Sequence, residues 1–334
     1  MSVITFGEIM LRLTPPEYHT IENTSSFQAN YGGGEANVAI SLARFGHQAY
    51  FVSRLPDNQL GDSAIRYLKG YNVNTKYVDR GGTNIGIYFL EVGFGGRNSK
   101  VLYNRKYAAI TSIKEDYFDF DEIFKESKWF HFSGITLALG DKVRNVLYKM
   151  LEYAHKHNVT VSFDCNYRKT LWSVEEAKEH YLKVLPYVDV LFASKFDAVK
   201  LFDVKTSSED LGEVDEREVF KKLIDKSKVA KIFGTKRKIY TATDNELSAY
   251  CYTKDKCFTT EPTRFNIYDR IGGGDAFAAG IINCMIKYPN DIDYTLEFGL
   301  ATSVLKHTLW GDAFMLSERD VKNYMKNNIA SVNR

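Results

Sequence analysis

The sequence predicts an α/β fold: a doubly wound, mostly parallel sheet flanked by helices, with a small antiparallel β-sheet attached as a lid. Three observations carry this. Short runs rich in Val, Ile and Phe recur along the chain, apolar on both faces, as strands covered on both sides must be. Helical periodicity fills most of the intervals between them. Two stretches, 10–31 and 83–107, break that rhythm and alternate like half-exposed strands.

The elements follow in order. "VITFG" (3–7) is the first strand, and "YGGGEANVAISLARFG" (31–46) runs three glycines into a helix over 35–45. "AYFVS" (49–53) and a helix over 60–70 come next. In the second irregular stretch "IGIYFLEV" (85–92) and "KVLYNR" (100–105) flank the turn "GFGGRN" (93–98). The main rhythm resumes with strands "WFHFSG" (129–134), "VTVSFD" (159–164), "VDVLFA" (188–193) and "AKIFG" (230–234), and with helices over 142–157, 174–184 and 216–226. The last third is mainly helical, over 275–288, 291–308 and 317–327. A small sheet with one apolar face has to hide it, over a site, against a second copy, or both.

A chain of 334 residues accommodates one large α/β domain, read here as a single unit over 1–334. Its 44 basic and 42 acidic residues leave a net charge of +2, which gives no electrostatic case for nucleic acid or a membrane as partner. No apolar run approaches the roughly 20 residues of a membrane span, and the N-terminus reads as a strand, so a cytoplasmic setting is expected. Cys165, Cys251, Cys257 and Cys284 are scattered without a C-x-x-C pair and read as reduced, packed thiols. His131 reads as a satisfied core or pocket-wall histidine. Glu35 is adequately explained as a first-turn glutamate that favours its helix dipole.

The chemistry centres on "DRIGGGDAFAAG" (269–280). A helix start offers unpaired N–H groups and partial positive charge, and bare backbone at Gly272, Gly273 and Gly274 lets an anion approach closely. No Lys-Ser/Thr pair follows, so this is not a Walker A loop. Asp275 stands there instead, suited to accept a proton from an attacking hydroxyl while the glycine N–H groups receive a phosphoryl group. A capping aspartate after a glycine turn would look the same at this level. The second cluster, Gly32 to Gly34, lacks the G-x-G-x-x-G spacing directly after the first strand, which argues against a Rossmann dehydrogenase.

Both glycine signatures together resemble those of the ribokinase-like (PfkB) carbohydrate kinases, over essentially the whole chain. "GEIMLRLTPP" (7–16), "GIYFLEVG" (86–93), "VLYNRKYAA" (101–109), "FDCNYRKTLW" (163–172) and "LWGDAF" (309–314) are similar to the 2-keto-3-deoxygluconate kinase branch. The resemblance implies a ribokinase-like fold with a β-sheet lid, ATP and Mg²⁺ as cofactors, and a homodimer through the lid sheet. It implies that Asp275 is the catalytic base and Gly272, Gly273 and Gly274 the anion hole. It puts Gly34, Tyr88, Tyr103, Arg105, Arg168 and Asp312 around a sugar acid, with Asn166 and Arg168 at the boundary with the nucleotide phosphates. Physically, the carboxylate of a 2-keto acid suits the planar fork of arginine, and "YNR" (103–105) and "NYR" (166–168) each supply one beside a tyrosine.

Two stretches depart from the family pattern. Where many members carry Asn-x-x-Glu toward magnesium, "FASKFDAVKLF" (192–202) offers Ser194 and Asp197. Where many carry a Lys-x-Gly-x-x-Gly nucleotide loop, "IFGTKRKIYTATDN" (232–245) keeps Gly234 and adds Thr235, Lys236, Arg237 and Lys238. The expected activity is ATP-dependent phosphorylation of 2-dehydro-3-deoxy-D-gluconate to its 6-phosphate. A fructokinase-like enzyme for neutral sugars and a non-catalytic sugar-acid sensor are the alternatives.

Overall fold

The computed structural model describes residues 2–208 and 210–326. Ten strands form the main sheet, in the spatial order Cys257–Thr259, Asp244–Tyr252, Lys231–Ile239, Val190–Phe192, Thr160–Asp164, Ser127–Ser133, Ser2–Phe6, Gln48–Leu55 and Val78–Arg80, with Thr263–Asn266 also pairing to Asp244–Tyr252. Pairing is parallel from Val78–Arg80 through Lys231–Ile239 and antiparallel beyond, as the predominance of two-sided apolar runs requires.

Alternate residues feed two cores. Val3, Ala49 and Phe51 join the core under helices Gly34–Arg44, Gly273–Lys287 and Ile292–Lys306. Ile4, Phe6 and Val52 join the core under Asp141–Lys156, Val174–Val184 and Glu216–Asp225. Helix Gly273–Lys287 is buried on all sides from Ala276 to Met285. A side chain at Gly280 would lie 2.9 Å from the Cα of Gly299, so the two glycines let this helix lie close against Ile292–Lys306. That approach brings the end of the second helix behind the start of the first. The four thiols are free, and three of them are buried.

The small sheet has the order Gln28–Gly32, Met10–Thr14, Gly86–Glu91, Lys100–Asn104. It is not wholly antiparallel: Met10–Leu13 runs parallel to Gly86–Phe89, between two antiparallel pairings. The chain between those two strands passes through the α/β body, and such a crossover permits a parallel pair. Met10, Tyr88 and Leu90 form its own buried cluster, while Lys100–Asn104 is an exposed edge. The 232–245 stretch, expected as an atypical loop that keeps one glycine of the family pattern, lies in a hairpin of Lys231–Ile239 and Asp244–Tyr252. Gly234 is explained by packing, since a Cβ there would meet the Tyr250 hydroxyl at 2.2 Å. The C-terminal helix spans Glu318–Lys326, and position 327 of its expected extent lies outside the described residues. Among the described residues no helix is long and apolar enough to cross a membrane.

Candidate active site

Open α/β sheets bind ligands beyond the carboxyl ends of their strands, and the cavity of about 510 Å³ lies there, between the main sheet and the lid. Glu8 follows the first strand into it, and Asp164 ends the strand Thr160–Asp164. Its floor is the start of helix Gly273–Lys287. Gly272 is the N-cap at φ 84°, and any side chain there would lie 1.8 Å from the Asp312 carbonyl oxygen. Gly273 is covered by the His307 ring, whereas a Cβ on Gly274 would meet nothing within 4 Å. The first intrahelical bond runs from Ala276 N to Gly272 O at 2.9 Å, so the N–H groups of Gly273, Gly274 and Asp275 lack helical partners.

Asp275 is the third residue of this helix and does not cap it. Its Oδ2 accepts from Asn37 Nδ2 at 2.7 Å, across the cavity floor. A Cβ on Gly34 would lie 3.6 Å from its Oδ1, so the start of helix Gly34–Arg44 faces the same carboxylate. Two helix N-termini thus converge on one acid. Burial pushes Asp275 up to about 6; the Asn37 bond opposes that and the nearby Glu35 charge adds to it. Glu35 does more than favour its helix dipole. It is buried, and its Oε1 accepts from Ser133 N at 2.9 Å and Thr136 Oγ1 at 2.6 Å, tying the helix start to the strand Ser127–Ser133.

The lid side is a wall of paired charges. Arg12, fully buried, reaches Asp269 at 2.7 Å and Asp312 at 2.8 Å, and Tyr88 donates a short hydrogen bond to Asp312. Burial alone would lower the Arg12 guanidinium, but Asp312 and Asp269 hold it above its ordinary value. Tyr103 lies opposite Tyr88 in the sheet, with ring centroids 5.9 Å apart, and is 43 % exposed. Arg105 lines the cavity but forms a buried ion pair with Glu8. Burial pushes Glu8 up, and Arg105 pulls it back. Glu8 Oε1 has no hydrogen-bond partner among the described residues and lies against Gly86 of the lid.

The opposite side holds Asp164, Asn166 and Arg168. Asn166 adopts φ 35°, and its N–H is fixed by Asp164 Oδ1 at 3.1 Å, which turns the chain so that Arg168 faces the opening. Arg168 is exposed and makes no ion pair among the described residues. Burial and the Asp275 charge push Asp164 up to about 7 against the pull of Arg168. The remaining residues expected near a nucleotide lie outside this cavity. Asp197 Oδ2 is taken by Ser194, from N and Oγ at 2.7 Å each. Lys236 pairs with Glu216 at 2.6 Å. Arg237 bonds Asn245 at 3.1 Å and His307 at 3.0 Å. None of these, nor Gly234 or Thr235, lines the cavity. His131 is a satisfied core histidine, with Nδ1 2.9 Å from Ser162 Oγ, and burial holds it down at about 3.

Glu8, Arg12, Asn37 and Asp164 belong to the site and lie inside the quoted motifs, but nothing in those motifs singled them out. The one available signal was position, just past a strand end for Glu8 and at a strand end for Asp164. No cluster of three or more metal-binding side chains occurs among the described residues. A magnesium ion carried in by phosphates needs only one or two carboxylates, and Asp164 is a carboxylate on the cavity wall of the kind such an ion takes.

The model of the pfkB family carbohydrate kinases matches residues 1–318. A 2-dehydro-3-deoxygalactonokinase of Haloferax volcanii is 30% identical over 335 residues, 99% of each chain. A 5-dehydro-2-deoxygluconokinase of Geobacillus kaustophilus is 29% identical over 312 residues, 91% of this chain and 87% of that one. The crystal structure of 2-dehydro-3-deoxygluconokinase from Thermotoga maritima superposes with a TM-score of 0.93 at 39% identity, covering 98% of each chain.

Proposed function

The chain belongs to the pfkB family of carbohydrate kinases, phosphotransferases with an alcohol group as acceptor, and from that premise we propose that it phosphorylates a sugar acid, 2-dehydro-3-deoxy-D-gluconate, at its terminal hydroxyl with ATP. The carrying observation is the setting of Asp275: not a cap, oriented by Asn37, beside the open backbone of Gly274. Its Oδ1 takes the hydroxyl proton as the sugar oxygen forms its bond to the γ-phosphorus. The bond from that phosphorus to the bridging oxygen breaks, and ADP leaves. The unpartnered N–H groups of Gly273, Gly274 and Asp275 receive the charge on the group in transfer. Magnesium, when bound with ATP, would neutralise phosphate charge; Asp164 would be the carboxylate to hold it, with Asp197, itself held by Ser194, acting indirectly.

Tyr103, Arg105 and Arg168 hold the acid, and Tyr88 and Asp312 shape the pocket beneath it. Gly34 leaves room for the acceptor hydroxyl next to Asp275. Arg168 also meets the phosphates with Asn166, and the chain from Gly234 to Arg237 borders the nucleotide. The lid shuts over the sugar and limits transfer to water. Its exposed edge, with Val101 and Leu102 uncovered, suits pairing with a second copy in a cytoplasmic homodimer.

One observation favours a second reading. Glu8 already neutralises Arg105, as a pocket for a neutral sugar such as fructose would require. ADP release measured with a panel of sugar acids and hexoses separates the two. Turnover confined to 2-keto-3-deoxy acids supports the first reading, and equal turnover of fructose refutes it. Binding of the acid with no ADP release would make the protein a sensor.

A further inference from the structure

Lys306, the last residue of helix Ile292–Lys306, is wholly buried. An unpaired ammonium in a packed interior is strongly disfavoured, so buried lysines usually end on a carboxylate. Lys306 makes no ion pair among the described residues, and its Nζ donates one hydrogen bond, to Leu309 O at 3.3 Å. Burial lowers its pKa, while Asp269 and Asp312, beyond ion-pair distance, pull it back up.

Its surroundings suggest what offsets that cost. Lys306 Cε lies 3.3 Å from where Gly272 would carry a side chain. The adjacent His307 ring lies against Gly273, and Ser303 Oγ, one turn earlier, donates to Gly273 O at 2.9 Å. His307 O in turn accepts from Tyr268 N at 2.7 Å and Asp269 N at 3.1 Å. One helix end therefore builds the rear of the glycine loop. Burial holds His307 down at about 3 and Ser303 carries no charge, so Lys306 is the side chain of the three that brings an ammonium group behind the loop.

We propose that Lys306 is a built-in counter-charge behind Gly272–Gly274, a positioning residue that favours an anion at the loop without touching it. In a water-poor interior such a charge acts over several ångströms. The inference rests on the reading of these glycines as the phosphoryl-binding hole. The competing role is plain capping, since a cation at a helix C-terminus bonded to a carbonyl is stabilising by itself.

Two variants separate the roles. Lys306→Gln keeps a donor for Leu309 O and removes the charge, and Lys306→Met keeps the stem. The measurements are kcat, the two KM values, and the affinity of inorganic sulfate for the sugar-free protein by calorimetry, with circular dichroism as the folding control. The expected result is two folded proteins with kcat lowered about 10- to 100-fold, weaker sulfate binding and a sugar-acid KM close to that of the parent. Wild-type kcat and sulfate affinity in both variants would overturn the proposal, as would loss of folded signal in both, which assigns Lys306 to capping. Asp275→Asn in the same assay tells this failure apart from failure of the underlying reading. A parent without phosphoryl transfer, or an undiminished Asp275→Asn, removes both, whereas an inactive Asp275→Asn beside unimpaired Lys306 variants removes this inference alone.

Discussion

On the lid side of the cavity Arg12 and Arg105 both end on carboxylates, whereas Arg168 on the opposite side, and Arg270, a lining residue just ahead of the glycines, end on none among the described residues. The paired arginines are buried and the unpaired ones exposed. Paired charges belong to the fold: they hold the lid to the body and give the sugar pocket its shape before a ligand arrives. Unpaired charges beside a helix start with unpartnered N–H groups are free to meet an anion. The same residue type is thus already engaged on one wall, where Arg105 is shared between Glu8 and the cavity, and unengaged on the other.

Substitution should separate the walls. Arg12→Met leaves Asp269 and Asp312 buried without their cation and should cost about 3–5 kcal/mol of stability, read by urea unfolding. A loss below 1 kcal/mol would mean that the wall is not held by this triad. Arg168→Ala should change stability by less than about 0.5 kcal/mol yet lower kcat/KM for a sugar acid by about 10²-fold. Unchanged kinetics there would make Arg168 an ordinary solvated arginine. Glu8→Gln is the finest probe. Freed from its buried carboxylate, Arg105 should bind a substrate carboxylate more tightly, lowering the sugar-acid KM by roughly threefold. A raised KM would instead mean that Glu8 orients Arg105 for its task.

The same contrast sets what the sequence made legible. The parallel sheet was readable because burial on two faces writes itself into every strand. Asp275 and its glycines were readable because the loop, helix start and acid are contiguous. The paired wall was not. Arg12 and Asp312 are 300 positions apart, and nothing local in "MLRLT" says that its arginine is buried. Glu8 is a single polar residue after a strand, and Lys306 reads as an ordinary basic helix end. The lid's parallel pair escaped because alternation gives the faces of a strand but not its direction. The hairpin joining Lys231–Ile239 to Asp244–Tyr252 was not legible, because nothing local in the stretch shows that Gly234 makes room for the Tyr250 hydroxyl.

The central claim concerns proton acceptance, and the pH dependence of turnover in the wild type beside Asp275→Asn tests it most directly. Asp275 is raised to about 6 and its neighbour Asp164 to about 7, so the two titrate as a pair. A base must be ionised, so kcat/KM should rise with pH across roughly 6–7 and level above it. The sign for stability is opposite. A carboxylate whose folded pKa is raised contributes most when protonated, and that contribution is lost as pH climbs through the folded value. Asp275→Asn should therefore melt higher than the parent at pH 8, with turnover reduced by about 10³-fold or more and sugar-acid binding retained. A variant that turns over at the parental rate, or one that melts lower at pH 8, would contradict the account.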